Sequence, residues 1–370
     1  MTSPELAELE KALIVGISGP SSSGKTTLAR LLQRIFYGVS LDSSLRLSSA
    51  QDNDNDNETK DKLNTFIIHE DDFYYPDDQI PHPHRIPYTT TPSGKTVQDW
   101  DTSAAIDTSF LAQALSYVRI HGHLPPRLQS KEDQNENAGP CVSDDLVVEL
   151  RRDVEARIAA AEQGSIRPTL VFMEGFLLYA PPEGFEYKSK TKGGDGELQG
   201  VGDEHYPTDH SVLRPVHAQI GLPLFLPAPY STVKARREGR SGYVTIGPAP
   251  EPPTTVTATV LNDQQQKQQP QQEIDLDGED DRPPQNFWTD PPGYVDDIVW
   301  PRYVRDHAWL LVDGDSQGEK EGDIVQRVGE GVDVRLDVGV KVAPGKGAVG
   351  MEVVLRWAVE EVMAFYLGGQ

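Results

Sequence analysis

The chain has 370 residues, of which 37% are hydrophobic, and its 58 acidic and 34 basic side chains give a formal charge of −24. This charge argues against a general nucleic-acid binder, because phosphates attract a basic surface. The single cysteine, Cys141, excludes a disulfide framework and a cysteine-based zinc cluster. It favours a reducing compartment, so we expect a cytoplasmic protein, with nuclear access left open. We recognise neither a secretory signal nor an apolar run long enough to span a membrane.

Five polar tracts are expected to lie outside the hydrophobic core. They are rich in Asn, Asp, Gln, Gly, Pro or charged residues, and burial cannot offset the entropy of ordering them. They are residues 42–64, 127–145, 187–210, 247–285 and 316–350. The last contains VDVRLDVGVKV, whose alternation is also typical of a strand. The other residues, about 230, suffice for one domain, so we predict a single domain over residues 1–370 with five insertions.

The first predicted elements are a strand and a helix. Residues 12–18 (ALIVGIS) form a continuous apolar run typical of a buried strand. Residues 26–36 (TTLARLLQRIF) place Leu28, Leu31 and Ile35 on one face of a helix.

The loop between them matches the phosphate-binding pattern G-x-x-x-x-G-K-[ST]. Such a loop points backbone N–H groups at phosphates, its lysine meets the β- and γ-phosphates, and its threonine hydroxyl binds Mg²⁺. The pattern predicts nucleotide binding but does not separate kinases from GTPases or ATPases; we recognise no GTPase guanine-reading or switch motif. The predicted phosphate-binding residues here are Gly19, Pro20, Ser21, Ser22, Ser23, Gly24, Lys25, Thr26 and Thr27.

Residues 65–69 (TFIIH) are the next predicted strand, and they lead into Glu70, Asp71 and Asp72. A carboxylate at this strand end could orient an acceptor hydroxyl and take its proton. A solvated acidic turn is the alternative. Further on, Thr102 or Ser103 is expected to cap a helix.

Residues 169–175 (TLVFMEG) predict a third strand that ends in an acidic residue, Glu174. A carboxylate after an apolar run is costly to bury unless it meets a cation or hydrogen-bond donors. Mg²⁺ held with Thr26 is the interpretation we favour over a structural salt bridge.

The remaining elements complete an alternating pattern. Residues 222–228 and 309–315 predict a fourth and a fifth strand, and residues 351–367 predict a closing helix. After the fourth strand, Arg236, Arg237 and Arg240 could clamp phosphate oxygens, in a lid that also carries the tract 247–285. Strands that alternate with helices indicate an α/β fold with a parallel sheet, whose ligands bind at the carboxyl ends of the strands.

Together these motifs resemble the nicotinamide riboside kinases, a branch of the uridine-kinase-like P-loop kinases. The resemblance rests on GISGPSSSGKTTLA, HEDDFYYP, DWD (99–101), MEGFLLY, KARREGR with a following tyrosine, and DPPGYVDDIVWPRY. It implies a P-loop kinase fold, with a five-stranded parallel sheet, flanking helices and a lid. It also implies transfer of the ATP γ-phosphate, with Mg²⁺, to the 5′-hydroxyl of nicotinamide riboside, and it leaves nicotinic acid riboside open as a substrate.

The resemblance also implies roles for individual residues. Asp71 matches the catalytic carboxylate at the 5′-hydroxyl, and Lys25 matches the second catalytic residue, near the phosphates. The other matches are Asp101 and Arg237 at the ribose, Arg236 and Arg240 at phosphates, Thr26 and Glu174 at Mg²⁺, and Trp100 and Tyr243 around the pyridine ring. Trp100 stands where relatives have a tyrosine; an indole is the best cation–π partner for a pyridinium ring. A core role for Trp100 is the alternative.

Two other functions fit the same motifs. A uridine or cytidine kinase would share the phosphate loop, the acidic strand end and the arginines. A non-catalytic scaffold would use the insertions as interaction surfaces, but the presence of Lys25, Thr26, Asp71 and Glu174 disfavours it.

Overall fold

The computed structural model describes residues 10–41, 62–75, 88–91, 94, 96–128, 141–161, 167–183, 210–240, 243–246, 276, 285–312 and 321–368. The strands are β1 Ala12–Ser18, β2 Asn64–His69, β3 Tyr88–Thr90, β4 Thr96–Gln98, β5 Thr169–Gly175, β6 Leu222–Phe225, β7 Tyr243–Ile246, β8 Gln285–Trp288 and β9 Lys341–Val342. The helices are α1 Lys25–Phe36, α2 Thr108–His121, α3 Asp144–Ala160, α4 Arg214–His217, α5 Tyr230–Glu238, α6 Trp300–His307, α7 Glu321–Glu330 and α8 Met351–Gly368.

Five of these strands form one parallel sheet, in the order β2-β5-β1-β6-β9. The central strands β1 and β5 are buried almost throughout, which explains why they are nearly continuous apolar runs. The chain passes from β1 to β2 and then returns to insert β5 between them, so a crevice opens at the carboxyl ends of these strands. Two antiparallel hairpins, β3–β4 and β7–β8, lie outside this sheet.

Helices cover both faces of the sheet and create two hydrophobic cores. Alternate residues of β1 point to opposite sides: Ile14 lies in the core with α2 and α6, and Val15 lies in the core with α1, α3 and α8. The apolar face predicted for residues 26–36 is buried in the second of these cores. The α/β fold with a parallel sheet of five strands is therefore confirmed.

The fifth strand is not the predicted one. Residues 309–312 form part of a single 3₁₀ turn, Ala308–Leu310, and one isolated bridge from Leu311 to Val334; residues 313–315 lie outside the described residues. The sheet instead ends with β9, which pairs with β6. A short apolar run can be buried in a turn as well as in a strand, and periodicity does not separate the two.

The tract 316–350 is also more ordered than predicted. It contains α7 and β9, and its residues Val328, Val340 and Ala343 are buried. Of the alternating segment 332–342, only Lys341 and Val342 join the sheet, and Val334 makes one isolated bridge to Leu311. The other four tracts fall largely outside the described residues, but buried Leu63, Leu128 and Val142 lie within two of them.

The helix after the DWD motif begins later than predicted. Ser103 starts a short 3₁₀ turn, and α2 is capped by Asp107, whose carboxylate accepts a hydrogen bond from the Phe110 amide. Aspartate caps a helix as well as serine does, and its position four residues after Ser103 explains the later start. Among the described residues, no helix combines the length and hydrophobicity needed to cross a membrane.

Candidate active site

The loop between β1 and α1 has the backbone conformation that its glycines permit. Gly19 and Gly24 both have positive φ angles, and a Cβ atom on Gly19 would collide with the Leu226 carbonyl. Ser22 also has a positive φ, of 62°, which is costly for a residue with a side chain. No side chain caps the first turn of α1, so its N–H groups can serve a ligand.

Lys25 lies buried at the base of this loop. Its Nζ donates a hydrogen bond to the Pro20 carbonyl at 3.0 Å. Burial lowers the pKa of Lys25 because it disfavours the ammonium ion, while the carboxylates of Glu174, Asp71 and Glu70 act in the opposite direction. The lysine therefore lies where three strand-end carboxylates converge.

Glu174, at the end of β5, is joined to Thr26 and His69. The Thr26 hydroxyl donates to Glu174 Oε1 at 2.9 Å, and His69 Nδ1 lies 2.7 Å from the same oxygen. Burial alone would raise the pKa of Glu174, but the hydrogen bond and charge of His69, with Lys25 and Thr26, lower it. The carboxylate is therefore ionised in a buried position.

His69 is a site residue that sequence reasoning missed. The parallel register places it directly beside Glu174 on the neighbouring strand, and its ring is fully buried. His69 and Thr26 both contact Glu174 Oε1, so this oxygen lies between a histidine partner, as in the structural alternative, and the hydroxyl that was predicted to share a metal ion with it. The signal available in the sequence was a histidine at the end of one apolar run and a glutamate at the end of another.

Asp71 follows β2 on a 3₁₀ turn, Glu70–Phe73, and lines the same cleft. Burial, reinforced by the charge of Glu174, raises its pKa to about 6, although Lys25 and His69 oppose this shift. A carboxyl group with a pKa near neutrality is suited to general-base chemistry.

Glu70 is a second residue whose part was not foreseen. Its carboxyl group accepts hydrogen bonds from the amides of Phe176, at 2.6 Å, and Leu177, at 3.0 Å, and so ties the turn after β2 to the turn after β5. Burial raises the pKa of Glu70 to about 8, although these backbone hydrogen bonds oppose the shift. A side chain on Gly175 would collide with Glu70, which explains the glycine at this position.

Arg237 lies buried between two carboxylates. It donates to both oxygens of Asp101 at 3.3 Å, and its Nε donates to Asp290 at 2.6 Å. Burial raises the pKa of Asp101 to about 6, although Arg237 opposes the shift. Asp101 and Arg237 were predicted to contact one ligand, and the structure brings them together. Asp290 was missed, although it begins the DPPGY motif.

The other two arginines lie nearer the phosphate loop. Arg236, near the end of α5, donates to the Ser22 carbonyl at 3.1 Å. Arg240 lines the cleft as well, although it lies beyond the end of α5. The helix ends at Glu238, and Gly239 follows it.

An aromatic wall closes the cleft on the acceptor side. Trp100 is edge-on to Tyr74, at a centroid distance of 5.5 Å, and is tilted by 59° to Trp288 at 5.9 Å; Phe176 stacks on Tyr74. Of the two predicted ring contacts, Trp100 lies in this wall. The strand register pairs Tyr243 with Trp288, but the Tyr243 side chain lies outside the described residues.

These groups line one cleft at the carboxyl ends of the strands. Its lining includes Ser21, Ser22, Gly24, Lys25, Thr26, Thr27, Asp71, Trp100, Asp101, Glu174, Arg237 and Arg240. A glycine-rich loop with a buried lysine, facing carboxylates at two strand ends, is the arrangement expected of an enzyme that transfers phosphoryl groups.

Comparison with known proteins shows which phosphoryl-transferring enzymes this chain is similar to. No family model matches the chain. The chain is 26% identical over 309 residues to a nicotinamide riboside kinase of Schizosaccharomyces pombe, a match that covers 84% of this chain and 85% of the relative. It is 22% identical to the nicotinamide riboside kinase of Eremothecium gossypii, covering 88% of both chains. It is 21% identical to the nicotinamide riboside kinase of Saccharomyces cerevisiae, a match that covers 84% of this chain and 83% of the relative. The resemblance predicted from the motifs is confirmed.

Proposed function

We propose that this protein is a nicotinamide riboside kinase with a P-loop kinase fold. It transfers the γ-phosphate of ATP to the 5′-hydroxyl of nicotinamide riboside and forms the mononucleotide for NAD synthesis. Three relatives with that name match more than four-fifths of the chain. The reaction takes place in the cytoplasm, a reducing compartment that suits the exposed, unpaired Cys141.

The phosphate loop holds the donor nucleotide. The N–H groups at the start of α1 and the Lys25 ammonium meet the phosphates, and Arg236 and Arg240 approach them from the other side. The proposal is supported by the glycine conformations of the loop and by the position of Lys25 among three carboxylates. Positive groups on both sides of the transferred phosphate stabilise the charge that spreads over its oxygens.

Asp71 accepts the proton of the 5′-hydroxyl as the oxygen attacks the γ-phosphorus. Its place in the cleft beside Lys25 and Glu174 supports this role, and so does its raised pKa. Asp101 and Arg237 bind the ribose hydroxyls. The two are already hydrogen-bonded to each other, so the site is ordered before the substrate arrives.

The donor set fits a magnesium ion. Thr26 Oγ1 and the ionised Glu174 are oxygen ligands at the base of the cleft, and among the described residues no group of three His, Cys, Asp or Glu side chains could hold a metal alone. Mg²⁺ is usually bound by one or two protein oxygens together with phosphates and water. When bound, the ion neutralises phosphate charge. The contribution of this chain is to hold Glu174 ionised through His69.

The pyridine ring lies against the aromatic wall. Trp100 supplies a face for the cationic ring, and Tyr243, on the hairpin β7–β8, lies on its other side. This hairpin acts as the lid, which carries the insertion 247–285 within a single kinase domain. A uracil ring would need hydrogen-bond donors and acceptors, and the described side chains beside Trp100 are mostly rings or already paired ions.

The observation that carries the proposal is the convergence of Lys25, Thr26, Glu174, Asp71 and the Asp101–Arg237 pair on one cleft. The test uses the purified full chain with Mg-ATP and a panel of nicotinamide riboside, nicotinic acid riboside, uridine and cytidine. ADP release gives the rate, and mass spectrometry identifies the product. We expect nicotinamide riboside to have a kcat/KM well above that of either pyrimidine nucleoside.

A Lys25→Ala variant, purified in the same way, controls for contaminating kinases. A preference for uridine or cytidine would replace the proposal with a pyrimidine nucleoside kinase. Binding of ATP without turnover of any nucleoside would favour the scaffold.

A further inference from the structure

The motif DPPGYVDDIVWPRY carries part of the resemblance, but the proposed function gives its central residues no role. In the structure the motif runs from Asp290 through a π-helical turn, Val295–Val299, and continues into α6. Tyr294 directly precedes this turn and is only 2% exposed. It is the residue through which the motif meets the pair Asp101–Arg237.

The hydroxyl group of Tyr294 holds the backbone beside Asp101. It accepts a hydrogen bond from the Trp100 amide at 3.0 Å and donates one to the Gln98 carbonyl at 3.0 Å. Gln98 is the last residue of β4, and Trp100 directly precedes Asp101. A single buried hydroxyl, acting as acceptor and donor at once, therefore fixes the stretch of chain from which the Asp101 side chain projects.

The ring of Tyr294 contacts the other member of the pair. The guanidinium carbon of Arg237 lies 5.5 Å from the centre of this ring, within the range of a cation–π interaction. Arg237 donates to the two oxygens of Asp101 at 3.3 Å each, which is long for a hydrogen bond between charged groups. The pair therefore depends on neighbours for its geometry, and Tyr294 contacts both sides of it.

Arg302 anchors the same stretch of chain at a second point. Its Nε donates to Asp99 Oδ2 at 2.7 Å, its Nη2 lies 2.6 Å from the same oxygen, and Asp99 is fully buried. Eight residues of α-helix would turn Tyr294 and Arg302 about 80° apart around the axis. A π-turn rotates less per residue than an α-helix. The turn between the two side chains therefore helps both of them to reach residues 98–100.

We propose that Tyr294 is a positioning residue for the acceptor nucleoside, which holds Asp101 and Arg237 at the spacing that binds the ribose hydroxyls; this inference rests on the proposed function. Tyr294 is almost fully buried, whereas Asp101 and Arg237 line the cleft, so it acts through them. The pair binds a part of the substrate that does not react. Its misplacement should therefore weaken nucleoside binding more than it slows phosphoryl transfer.

The first test compares wild type with Tyr294→Phe, which removes the hydroxyl group and keeps the ring. The KM for nicotinamide riboside should rise about five- to thirtyfold, the size expected for the loss of one or two buried hydrogen bonds. The kcat and the KM for ATP should stay within about twofold, because the phosphate loop contacts none of these groups.

Tyr366→Phe is the matched control. Tyr366 is a buried tyrosine of α8 in the opposite core, and its hydroxyl donates to the Arg167 carbonyl at 2.6 Å. The substitution removes a comparable buried hydrogen bond, so it should lower the free energy of unfolding in urea. It should leave both KM values unchanged.

A double-mutant cycle shows whether Tyr294 acts through Asp101. In the Asp101→Ala variant, adding Tyr294→Phe should lower kcat/KM for nicotinamide riboside by less than about twofold, because the side chain that Tyr294 positions is already missing. An equal effect of Tyr294→Phe with and without Asp101 would overturn the inference, because the hydroxyl group would then act at another place.

Arg302→Lys covers the case in which Tyr294→Phe does not fold. Lysine keeps the charge but lacks the two N–H groups that meet Asp99, so it loosens the same stretch of chain from its second anchor. It should raise the KM for nicotinamide riboside and leave the KM for ATP unchanged. An unchanged KM for nicotinamide riboside in this variant would overturn the inference.

The results separate the inference from the proposed function. A Tyr294→Phe variant with a wild-type KM for nicotinamide riboside, or with equal rises in the KM values of both substrates, would overturn the inference alone. A wild-type protein that does not phosphorylate nicotinamide riboside would refute the proposed function, and the inference with it.

Discussion

Replacing Asp71 with asparagine should remove phosphoryl transfer and, at the same time, stabilise the folded protein above pH 6. The burial of the carboxyl group, together with the negative charge of Glu174, raises its pKa from the ordinary value of 3.8 to about 6, against the attraction of Lys25. Asparagine keeps the shape of the side chain and removes the charge. One substitution thus tests both the catalytic role of Asp71 and the electrostatic cost of placing it there.

The size of the stability change follows from the two pKa values. A displacement from 3.8 to about 6 corresponds to about 3 kcal/mol, at about 1.4 kcal/mol for each unit of pKa. Because the folded-state pKa is raised, ionised Asp71 destabilises the fold. The penalty is complete above pH 6 and disappears as the pH falls to about 4. Asp71→Asn should therefore gain up to about 3 kcal/mol at pH 8 and almost nothing at pH 4.

The kinetic effect has the opposite sign. Removing a general base typically costs about 10²–10⁴-fold in rate, while ATP binding should stay within a few-fold of wild type. In the wild type, kcat/KM should rise with pH through about 6, because only the ionised carboxylate accepts a proton. The assays are ADP release, calorimetric titration with ATP, and urea denaturation at pH 4 and pH 8.

Asp145→Asn is the matched control, because it removes one exposed acidic charge from the start of α3. It should leave the rate unchanged and should not raise the free energy of unfolding at pH 8, because an acidic residue in the first turn of a helix is stabilising. Turnover of Asp71→Asn within a few-fold of wild type would refute the catalytic role and make Asp72 the next candidate. An equal stability gain at both pH values would refute the argument from burial.

Three further predictions concern other parts of the molecule. Trp100→Ala should weaken the binding of nicotinamide riboside by about 2 kcal/mol, or roughly thirtyfold in KM, and leave the KM for ATP unchanged, whereas Trp100→Phe should keep most of the affinity. Equal effects on the KM values of both substrates would argue for a core role of Trp100. Gly175→Ala should lower the free energy of unfolding by about 1–3 kcal/mol in urea, because its methyl group displaces buried Glu70, and an unchanged midpoint would contradict this. Excising residues 262–274 should leave the unfolding temperature and the rate of ADP release unchanged, because this segment is Gln-rich and has little apolar surface to bury. The deletion spares Leu276, whose carbonyl accepts a hydrogen bond from the Arg127 amide. A large drop in the unfolding temperature would show that the segment packs against the protein.

Much of the fold follows from local pattern in the sequence. Continuous apolar runs predict β1 and β5, because a central parallel strand is buried on both faces. The helical spacing of apolar residues predicts α1, and the glycines of the loop before it predict its conformation. In each case the signal lies within one short stretch of the chain, even though the contacts that bury these residues come from distant elements.

The contacts within the site were decided only by the tertiary structure. Glu174 meets His69 because two strands far apart in the chain pair in a particular parallel register. Glu70 reaches the amides after β5 for the same reason, and Arg237 finds Asp290 across the insertion. The partners in these three contacts lie 105, 106 and 53 residues apart in the chain, so no local pattern could pair them.

The edge strand β9 and the position of Trp288 also could not be predicted from local pattern. Lys341 and Val342 join the sheet, and the more apolar residues 309–312 do not. Which segment pairs with β6 depends on how the helices pack around that edge, and the hydrophobicity of a segment does not decide it. Trp288 lies outside the motifs that carry the resemblance. It reaches the cleft because the hairpin β7–β8 brings it beside Trp100, across a distance in sequence that no periodicity spans.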